Sequence, residues 1–179
     1  MSRHTTHWLI AILFVLLAHP AHAAIQGFLC VTDTGYKGES TTPGFVFCSD
    51  LGDFAHTRFI DGSMPIARDI KFDKLYDTMS NPLRTAMVNL TTLNEVKIRV
   101  VSLGNPNLEF FDLRLIGVHV NSAAMSWTDS DRPTDTIGFS AASIEIKYAP
   151  ISQGGTLGQA SYTCWNVAAN TATNAACPP

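Results

Sequence analysis

The chain has 179 residues and a formal net charge of −3 at pH 7, and 46% of its residues are hydrophobic. This length is enough for one ordinary domain with a real core. No basic patch stands out along the sequence, so nucleic acid is not expected as a partner.

The first 23 residues are predicted to be a signal peptide. A polar start that carries Arg3 precedes a continuous apolar run, Trp8–Ala18, and Ala21-His22-Ala23 has the small-x-small pattern that signal peptidase reads. The apolar run is shorter than the roughly 20 residues that a membrane-spanning helix needs, which disfavours the alternative of an uncleaved membrane anchor. Cleavage after Ala23 would leave a secreted or periplasmic protein with 11 basic and 15 acidic residues. No stable membrane insertion is expected.

The exported part opens with two predicted strands. Ile25–Val31 is the first, a turn follows at Gly35-Tyr36-Lys37-Gly38, and Phe45–Cys48 is the second. Glycine and proline then interrupt the pattern, so Gly52–Pro65 is predicted to be a long loop.

A strand, a helix and another strand are predicted between Asp69 and Ser102. Asp69–Leu75 alternates charged and apolar residues, the period of two that a half-buried strand needs. Ser80-Asn81-Pro82 is a helix start, with a polar cap and proline at the first helical position. One apolar stripe follows at helical spacing, formed by Leu83, Ala86, Met87 and Leu90. Alternation resumes from Glu95 to Val100 in the next strand.

The rest of the chain is predicted to be strands separated by turns. Gly104-Asn105-Pro106-Asn107 predicts a hairpin into a long strand, Leu108–Ala124, whose apolar parity switches near Gly117. Asp129–Asp135 is a polar loop. The last elements are the strand Thr136–Tyr148, with a bulge near Ala141–Ser143, and the strand Gly158–Val167. Long, bulged strands suit a closed or nearly closed barrel. The domain is assigned to residues 24–170 and a flexible tail to 171–179, loose except where Cys177 ties it down.

The four cysteines all lie after the predicted cleavage site, and an exported chain with an even number of cysteines favours disulfides. Three pairings are possible. We favour Cys30–Cys48 and Cys164–Cys177 because both are local in sequence, and each would then contribute roughly 3 kcal/mol in the chain-entropy account. Buried free thiols are the alternative. No CxxC motif is present, and only two histidines follow the leader, so no metal site is expected.

No catalytic constellation is recognised, and the chain is predicted not to be an enzyme. His119 lies within an alternating strand, where it is expected to face a polar side or a lumen, and His56 lies in the long loop. Neither Gly-x-Ser-x-Gly nor HExxH occurs. Asp129, Asp131 and Asp135 form a cluster but lack the glycine turn and bidentate glutamate of a calcium loop. No cofactor is therefore expected.

Five segments, in order along the chain, resemble Hcp, the tube-forming protein family of type VI secretion systems, which is similar to phage tail-tube proteins. No one of these segments is specific alone, but their order and spacing make the resemblance strong. They are Lys37-Gly38-Glu39-Ser40, Phe72–Tyr76 with the Pro82 helix, Leu108–Ser122, Arg132–Tyr148, and Tyr162-Thr163-Cys164-Trp165-Asn166.

The resemblance implies a mainly β, tail-tube-like barrel of about seven or more strands with one short α-helix. It also implies hexameric rings that stack into a hollow tube, in which some members of the family carry effector cargo. A long loop helps to stack the rings in that family. Its position here corresponds to Gly52–Pro65, so an oligomer interface is expected at Phe54, His56, Arg58 and Phe59.

Two features depart from the family pattern: the predicted signal peptide and the four cysteines. Family members are made without a signal peptide, because their tube is built in the cytoplasm. The sequence therefore predicts a non-enzymatic, ring-forming secreted protein, and the alternative is an exported effector or cargo-binding module that is not part of a contractile apparatus.

Overall fold

The computed structural model of the protein describes residues 24–52, 70–127 and 132–178. These residues form eight strands and one helix. In chain order the elements are β1 (Ile25–Val31), β2 (Ser49–Asp50), β3 (Ile70–Leu75), α1 (Ser80–Val88), β4 (Thr92–Ser102), β5 (Leu108–Ser126), β6 (Thr134–Tyr148), β7 (Ser161–Asn166) and β8 (Thr171–Thr173). The mainly β fold with one helix is thus confirmed.

The strands form one antiparallel sheet in the order β2-β1-β4-β5-β6-β7-β8. The first half of β6 pairs with β3, and its second half pairs with β7. Between β2 and β3 the described residues make one isolated bridge, Leu51 opposite Lys74. Across the described residues the ladder does not close into a full barrel, so of the predicted closed or nearly closed barrel the full closure is not seen. The predicted tail contributes β8, which pairs with β7.

The strand–helix–strand block forms as predicted, except at the two ends of the helix. Leu90 of the predicted apolar stripe lies beyond the last helical residue, Val88, and is 80% exposed. Residues of β3 alternate between buried and accessible, and Leu83 and Ala86 of α1 are buried against the sheet. The helix begins at Ser80, so Pro82 is its third residue and not its first, and Met79 instead of Ser80 precedes the first turn. The Ser80 hydroxyl is buried and accepts hydrogen bonds from Lys74 Nζ and from the Asp77 backbone, so it serves a polar cluster instead of capping the helix.

The predicted second strand at Phe45–Cys48 is wrong. The Phe45 N–H donates to Thr42 O, and the Cys48 N–H donates to Phe45 O, which are turn hydrogen bonds between residues three apart. Gly44 and Phe47 have positive φ angles of 86° and 74°, so the backbone cannot continue extended. The strand that pairs with β1 is instead Ser49–Asp50.

The three central strands change the parity of their buried residues at one level of the sheet. In β5, burial passes from Leu113 and Leu115 to Val118 and Val120, on either side of Gly117. Its neighbours switch at the same place, β4 between Leu93 and Val96 and β6 between Ala141 and Ile144. Gly117 has φ +61, a conformation that glycine adopts without strain. The parity switch predicted at Gly117 is therefore confirmed and is shared by the neighbouring strands.

The bulge expected near Ala141–Ser143 lies elsewhere. Pairing of β5 with β6 stays in register from Ile116 opposite Ser143 to Val120 opposite Phe139, and the register shifts only between Val120 and Ser122. The extra residue therefore belongs to β5. The change of parity in β6 reflects the turn of the whole sheet at Gly117 and not an insertion in β6.

Two apolar clusters lie on opposite faces of the sheet. The main core packs the inner face of the sheet against α1 and β3. Its fully buried members include Leu29, Ile70, Leu83, Val96, Ile98, Leu115, Val118, Ile137 and Phe139. A small cluster of Phe28, Phe45, Cys48 and Val101 lies on the other face, where the rings of Phe28 and Phe45 stack with their centroids 4.2 Å apart.

Some predictions fall outside the described residues. These are the leader at 1–23, nearly all of the Gly52–Pro65 loop, and Asp129 and Asp131. The described residues contain no helix that is long and apolar enough to cross a membrane.

Candidate functional site

The outer face of β4, β5 and β6 carries a patterned array of charges, here called the charged face. Alternation places every second side chain of these strands on this side, away from the main core. Four acidic and four basic residues form it: Glu95, Lys97, Arg99, Glu109, Asp112, Arg114, Glu145 and Lys147. Register brings Lys97 opposite Arg114 and Arg114 opposite Glu145.

Ion pairs connect the strands across the charged face. Arg114 bonds to Glu95 and lies 3.8 Å from Glu145, while Lys97 Nζ lies 3.1 Å from Glu95. Burial alone would raise the pKa of Glu95, but hydrogen bonds from Arg114 and Lys97 outweigh it and lower that pKa. Arg99 bonds to Glu109 at the end of the array nearer the Gly104 turn.

Asp112 is the exception within the charged face. Its neighbours in register are Arg99 and Lys147, yet Arg99 is held by Glu109, and Lys147 Nζ is 4.0 Å from the same glutamate. Asp112 Oδ1 is buried and has no hydrogen-bond partner. Burial and the nearby charge of Glu109 raise the pKa of Asp112 to about 6, against the opposing effect of the surrounding cations.

The two disulfides lie at the two sides of the charged face. The structure contains Cys30–Cys48 and Cys164–Cys177, the two pairs that are local in sequence. Cys30 pairs in register with Lys97, and Cys164 with Glu145. The Cys177 backbone N–H also donates to Glu145 Oε2 at 2.5 Å. The disulfides thus hold the Cys48 turn and the C-terminal tail along opposite borders of the array.

A cleft of about 730 Å³ opens at one end of the charged face. One wall is Thr42–Phe45, the other is the Leu103–Asn107 turn, and Arg99 and Glu109 also line it. Asn107 Nδ2 donates to Pro43 O across the two walls at 3.3 Å. The Arg99 guanidinium lies 4.5 Å above the Phe45 ring, so this arginine is fixed by both a ring and a carboxylate. The cleft therefore has rigid, partly apolar walls.

A second polar cluster is buried between β3, α1 and β6. Lys74, only 1% exposed, donates to Asp77 Oδ1 at 2.6 Å, to Ser80 and to Leu75 O. Arg84 donates to both oxygens of Asp135, which is fully buried. Burial alone would raise the pKa of Asp135, but hydrogen bonds from Arg84 and Ser80 lower it. The cluster is balanced in charge and fully bonded, so its role is to fix the helix on the sheet.

The structure does not bring the remaining candidate residues together as a reactive site. His119 lies on the exposed side of β5, with Nε2 3.4 Å from the Thr92 hydroxyl. Asp135 is bonded to Arg84 beneath α1, while Asp129 and Asp131 lie outside the described residues. Phe54, His56, Arg58 and Phe59 lie outside the described residues, so the expected interface there stays a prediction. In the part of the chain that the structure describes, no three metal-ligating side chains are grouped around a common point.

Sequence reasoning missed the charged face, although the signal was present. Charged residues occupy alternate positions in each of three predicted neighbouring strands: 95, 97 and 99, then 112 and 114, then 145 and 147. The register that places them side by side could not be read from the sequence. The orphan oxygen of Asp112 left no sequence signal at all.

Comparison with known proteins gives one family. Residues 28–148 match the family model described as type VI secretion system effector, Hcp. No curated protein shows significant similarity to the chain.

Solved structures show the same fold at low sequence identity. A type six secretion system protein is 21% identical, with a TM-score of 0.70 over 84% of this chain and all of that one. Hcp1 from Salmonella typhimurium is 16% identical, with a TM-score of 0.69 over 84% of this chain and 99% of that one. A type VI secretion system effector from Yersinia pestis is 17% identical, with a TM-score of 0.60 over 76% and 97% of the two chains.

Proposed function

The chain belongs to the Hcp family of type VI secretion system effectors, and from this we propose that it is a non-enzymatic assembly protein whose copies form hexameric rings that stack into a hollow tube. The observation that carries this proposal is the match over residues 28–148, which spans β1 to β6 and with them the whole charged face. Its partners would be further copies of itself and secreted effector cargo within the lumen.

The surface of one copy supports assembly. Large apolar side chains are exposed at several places in the described residues, among them Ile25, Phe47, Met125 and Trp127. Covering such side chains between copies would remove apolar surface from water, which favours association. A ring of identical subunits does so by repeating one contact until it closes.

The disulfides favour export as the route by which this protein reaches its place of assembly. Disulfides form and persist in oxidising compartments and are rare in the cytosol. We therefore propose cleavage after Ala23 and a secreted or periplasmic location. The same observation supports a second candidate function, an exported effector or cargo-binding module that works without a contractile apparatus.

Negative-stain microscopy of the purified, oxidised protein tests the first proposal. Rings, alone or in stacks, are the expected result at high protein concentration, and the same sample in reductant shows whether the disulfides are needed. A monodisperse monomer under both conditions would contradict ring formation. Small proteins that co-purify with such a monomer would favour the second candidate.

A further inference from the structure

The segment Thr42–Cys48, here called the Phe47 loop, holds two large apolar side chains in solvent. Val46 is 53% exposed and Phe47 is 57% exposed, whereas Phe45 and Cys48 beside them are buried. Phe47 also has φ +74, which costs on the order of 1–3 kcal/mol for a bulky residue. The fold thus presents an aromatic ring to solvent in a strained conformation, and strain of this kind gathers at functional contacts.

The Phe47 loop is fixed from several sides. The Cys30–Cys48 disulfide ties its end to β1, and the Gly38 N–H donates to Phe47 O at 2.7 Å. A Cβ at Gly38 would lie 2.4 Å from the Cys48 carbonyl carbon, so only glycine permits this close approach. Lys37 Nζ lies 4.8 Å from the centre of the Phe47 ring. A rigid surface loses little entropy on binding, which suits a contact site.

The cleft at the end of the charged face has matching chemistry. Thr42–Phe45 forms one of its walls, while Val46 and Phe47 do not line it. Apolar surface in the cleft comes from Phe45, Leu103 and the two prolines at 43 and 106. Its volume of about 730 Å³ lies within the 300–1,000 Å³ range of sites that take up ligand groups, so two side chains have room there.

The charges of the two surfaces are also complementary. Lys37 lies beside the exposed ring of Phe47, and Glu109 is one of the residues that line the cleft. Arg99 bonds to Glu109 through Oε2, and Lys147 Nζ lies 4.0 Å from Oε1, beyond hydrogen-bond distance. Glu109 is therefore able to accept a further cationic donor.

We propose that copies of this chain associate through the Phe47 loop, with Val46 and Phe47 of one copy lying in the cleft of the next and Lys37 approaching Glu109 there. The inference rests on the self-assembly proposed above and names its contact. Val46 and Phe47 do not line the cleft, although they follow its Thr42–Phe45 wall directly, so the contact joins two unlike patches of neighbouring copies. A head-to-tail contact of this kind gives a closed ring when the rotation between copies closes, and an open filament when it does not.

Two variants and one control test the contact by native mass spectrometry and microscopy. Phe47→Ser removes the inserted ring, and Thr42→Trp fills the cleft; each is expected to weaken association of copies at least tenfold. Leu90→Ser is the matched control, because Leu90 is 80% exposed with φ +52 and should leave association unchanged. If Thr42→Trp fails to fold by circular dichroism, Asn105→Trp fills the same cleft from its other wall.

Mixing the two variants gives the sharper test. Phe47→Ser keeps an intact cleft, and Thr42→Trp keeps the exposed Val46 and Phe47. An equimolar, isotopically distinguished mixture should therefore form 1:1 complexes that neither variant forms alone. Rings of wild-type appearance from Phe47→Ser would overturn this contact and leave the proposed ring function standing. A wild-type protein that stays monomeric at every concentration would overturn both. Absence of mixed complexes, with rings in the wild type, would overturn the insertion alone.

Discussion

Arg84 of α1 donates to both carboxylate oxygens of Asp135 in β6, at 3.0 and 2.6 Å, and so fixes the helix to the sheet by a bidentate pair. The two residues are 51 positions apart, and Asp135 is fully buried while the Arg84 side chain is 26% exposed. The pair lies beside the buried Lys74 amine, which is saturated by its own acceptors. Helix position therefore depends on this polar contact as well as on apolar packing.

We expect Asp135→Asn to destabilise the protein by about 3 kcal/mol at neutral pH, because removing one partner of a buried pair leaves the other uncompensated. The effect should shrink in acid. The pKa of Asp135 is lowered on folding, so its stabilisation is present above the unfolded pKa of about 3.9 and is lost as the pH falls below it. Chemical denaturation at several pH values measures both effects.

Glu39→Gln is the control for that measurement, because Glu39 and Arg132 form an ion pair whose side chains are 46% and 56% exposed. We expect Glu39→Gln to lower the free energy of unfolding by less than about 1 kcal/mol. An Asp135→Asn protein no less stable than this control would show that the buried pair contributes nothing.

Asp112→Asn is expected to stabilise the protein at pH 7.5. Folding raises the pKa of Asp112 to about 6, so the folded state binds this proton more tightly than the unfolded state. The group thus favours folding most below its unfolded pKa, and this benefit is lost as the pH rises through about 6. Removing the charge should then add roughly 1–2 kcal/mol at pH 7.5, after allowing for solvent, and little near pH 4. Urea unfolding at the two pH values gives the comparison.

Asp50→Asn makes the same chemical change away from the charged face. Asp50 Oδ1 accepts a hydrogen bond from Gln26, and the asparagine oxygen can still accept it. Its effect on stability should be small, within about 0.5 kcal/mol. A gain for Asp112→Asn that did not depend on pH would argue against titration of this carboxyl.

Replacing Cys164 and Cys177 together by serine should lower the free energy of unfolding by about 3 kcal/mol. It should also release the tail, because the contact between Cys177 and Glu145 is held by the same disulfide. Limited proteolysis followed by mass spectrometry would then show cleavage after β8. Replacing Cys30 and Cys48 by serine is the control, with a similar loss of stability and an uncut tail.

Thiol labelling of the unreduced, denatured wild-type protein tests whether the two disulfides form. Four labelled cysteines would contradict both disulfides.

Gly117→Ala should cost about 1–2 kcal/mol, because a side chain at φ +61 is strained and its Cβ would lie 3.2 Å from that of Ala142. Gly154→Ala is a suitable control: Gly154 has no positive φ, and the nearest atom to an added Cβ is 3.8 Å away. That substitution should stay within about 0.5 kcal/mol of the wild type. Equal thermal stability of the two variants would count against a conformational role for Gly117.

Much of the fold was readable because the sequence alternates clearly. The strands β3, β4, β5 and β6 follow from a period of two, and the helix stripe, apart from Leu90, follows from a period of 3.6. The hairpin at Gly104 follows from its turn residues. Phe45–Cys48 misled because four apolar residues in a row do not show their period. The buried residues of this segment, Phe45 and Cys48, are three positions apart, and the two residues between them are exposed.

Other features needed coordinates. Lys74 shares the parity of Ile70 and Phe72, so its burial was detectable, but its acceptors on the following turn were not. The Phe47 loop and the cleft depend on positive φ angles and on contacts between segments some 60 residues apart. Neither kind of information is carried by hydrophobic periodicity.

The shared parity switch at Gly117 makes three strands interdependent in length. Deleting one residue from β4, β5 or β6 on one side of that level would turn the charged side chains of that half strand toward the main core and its apolar ones toward solvent. Relatives of this chain should therefore tolerate insertions and deletions in the connecting turns, while the distance in sequence from Gly117 to each end of β5 stays constant.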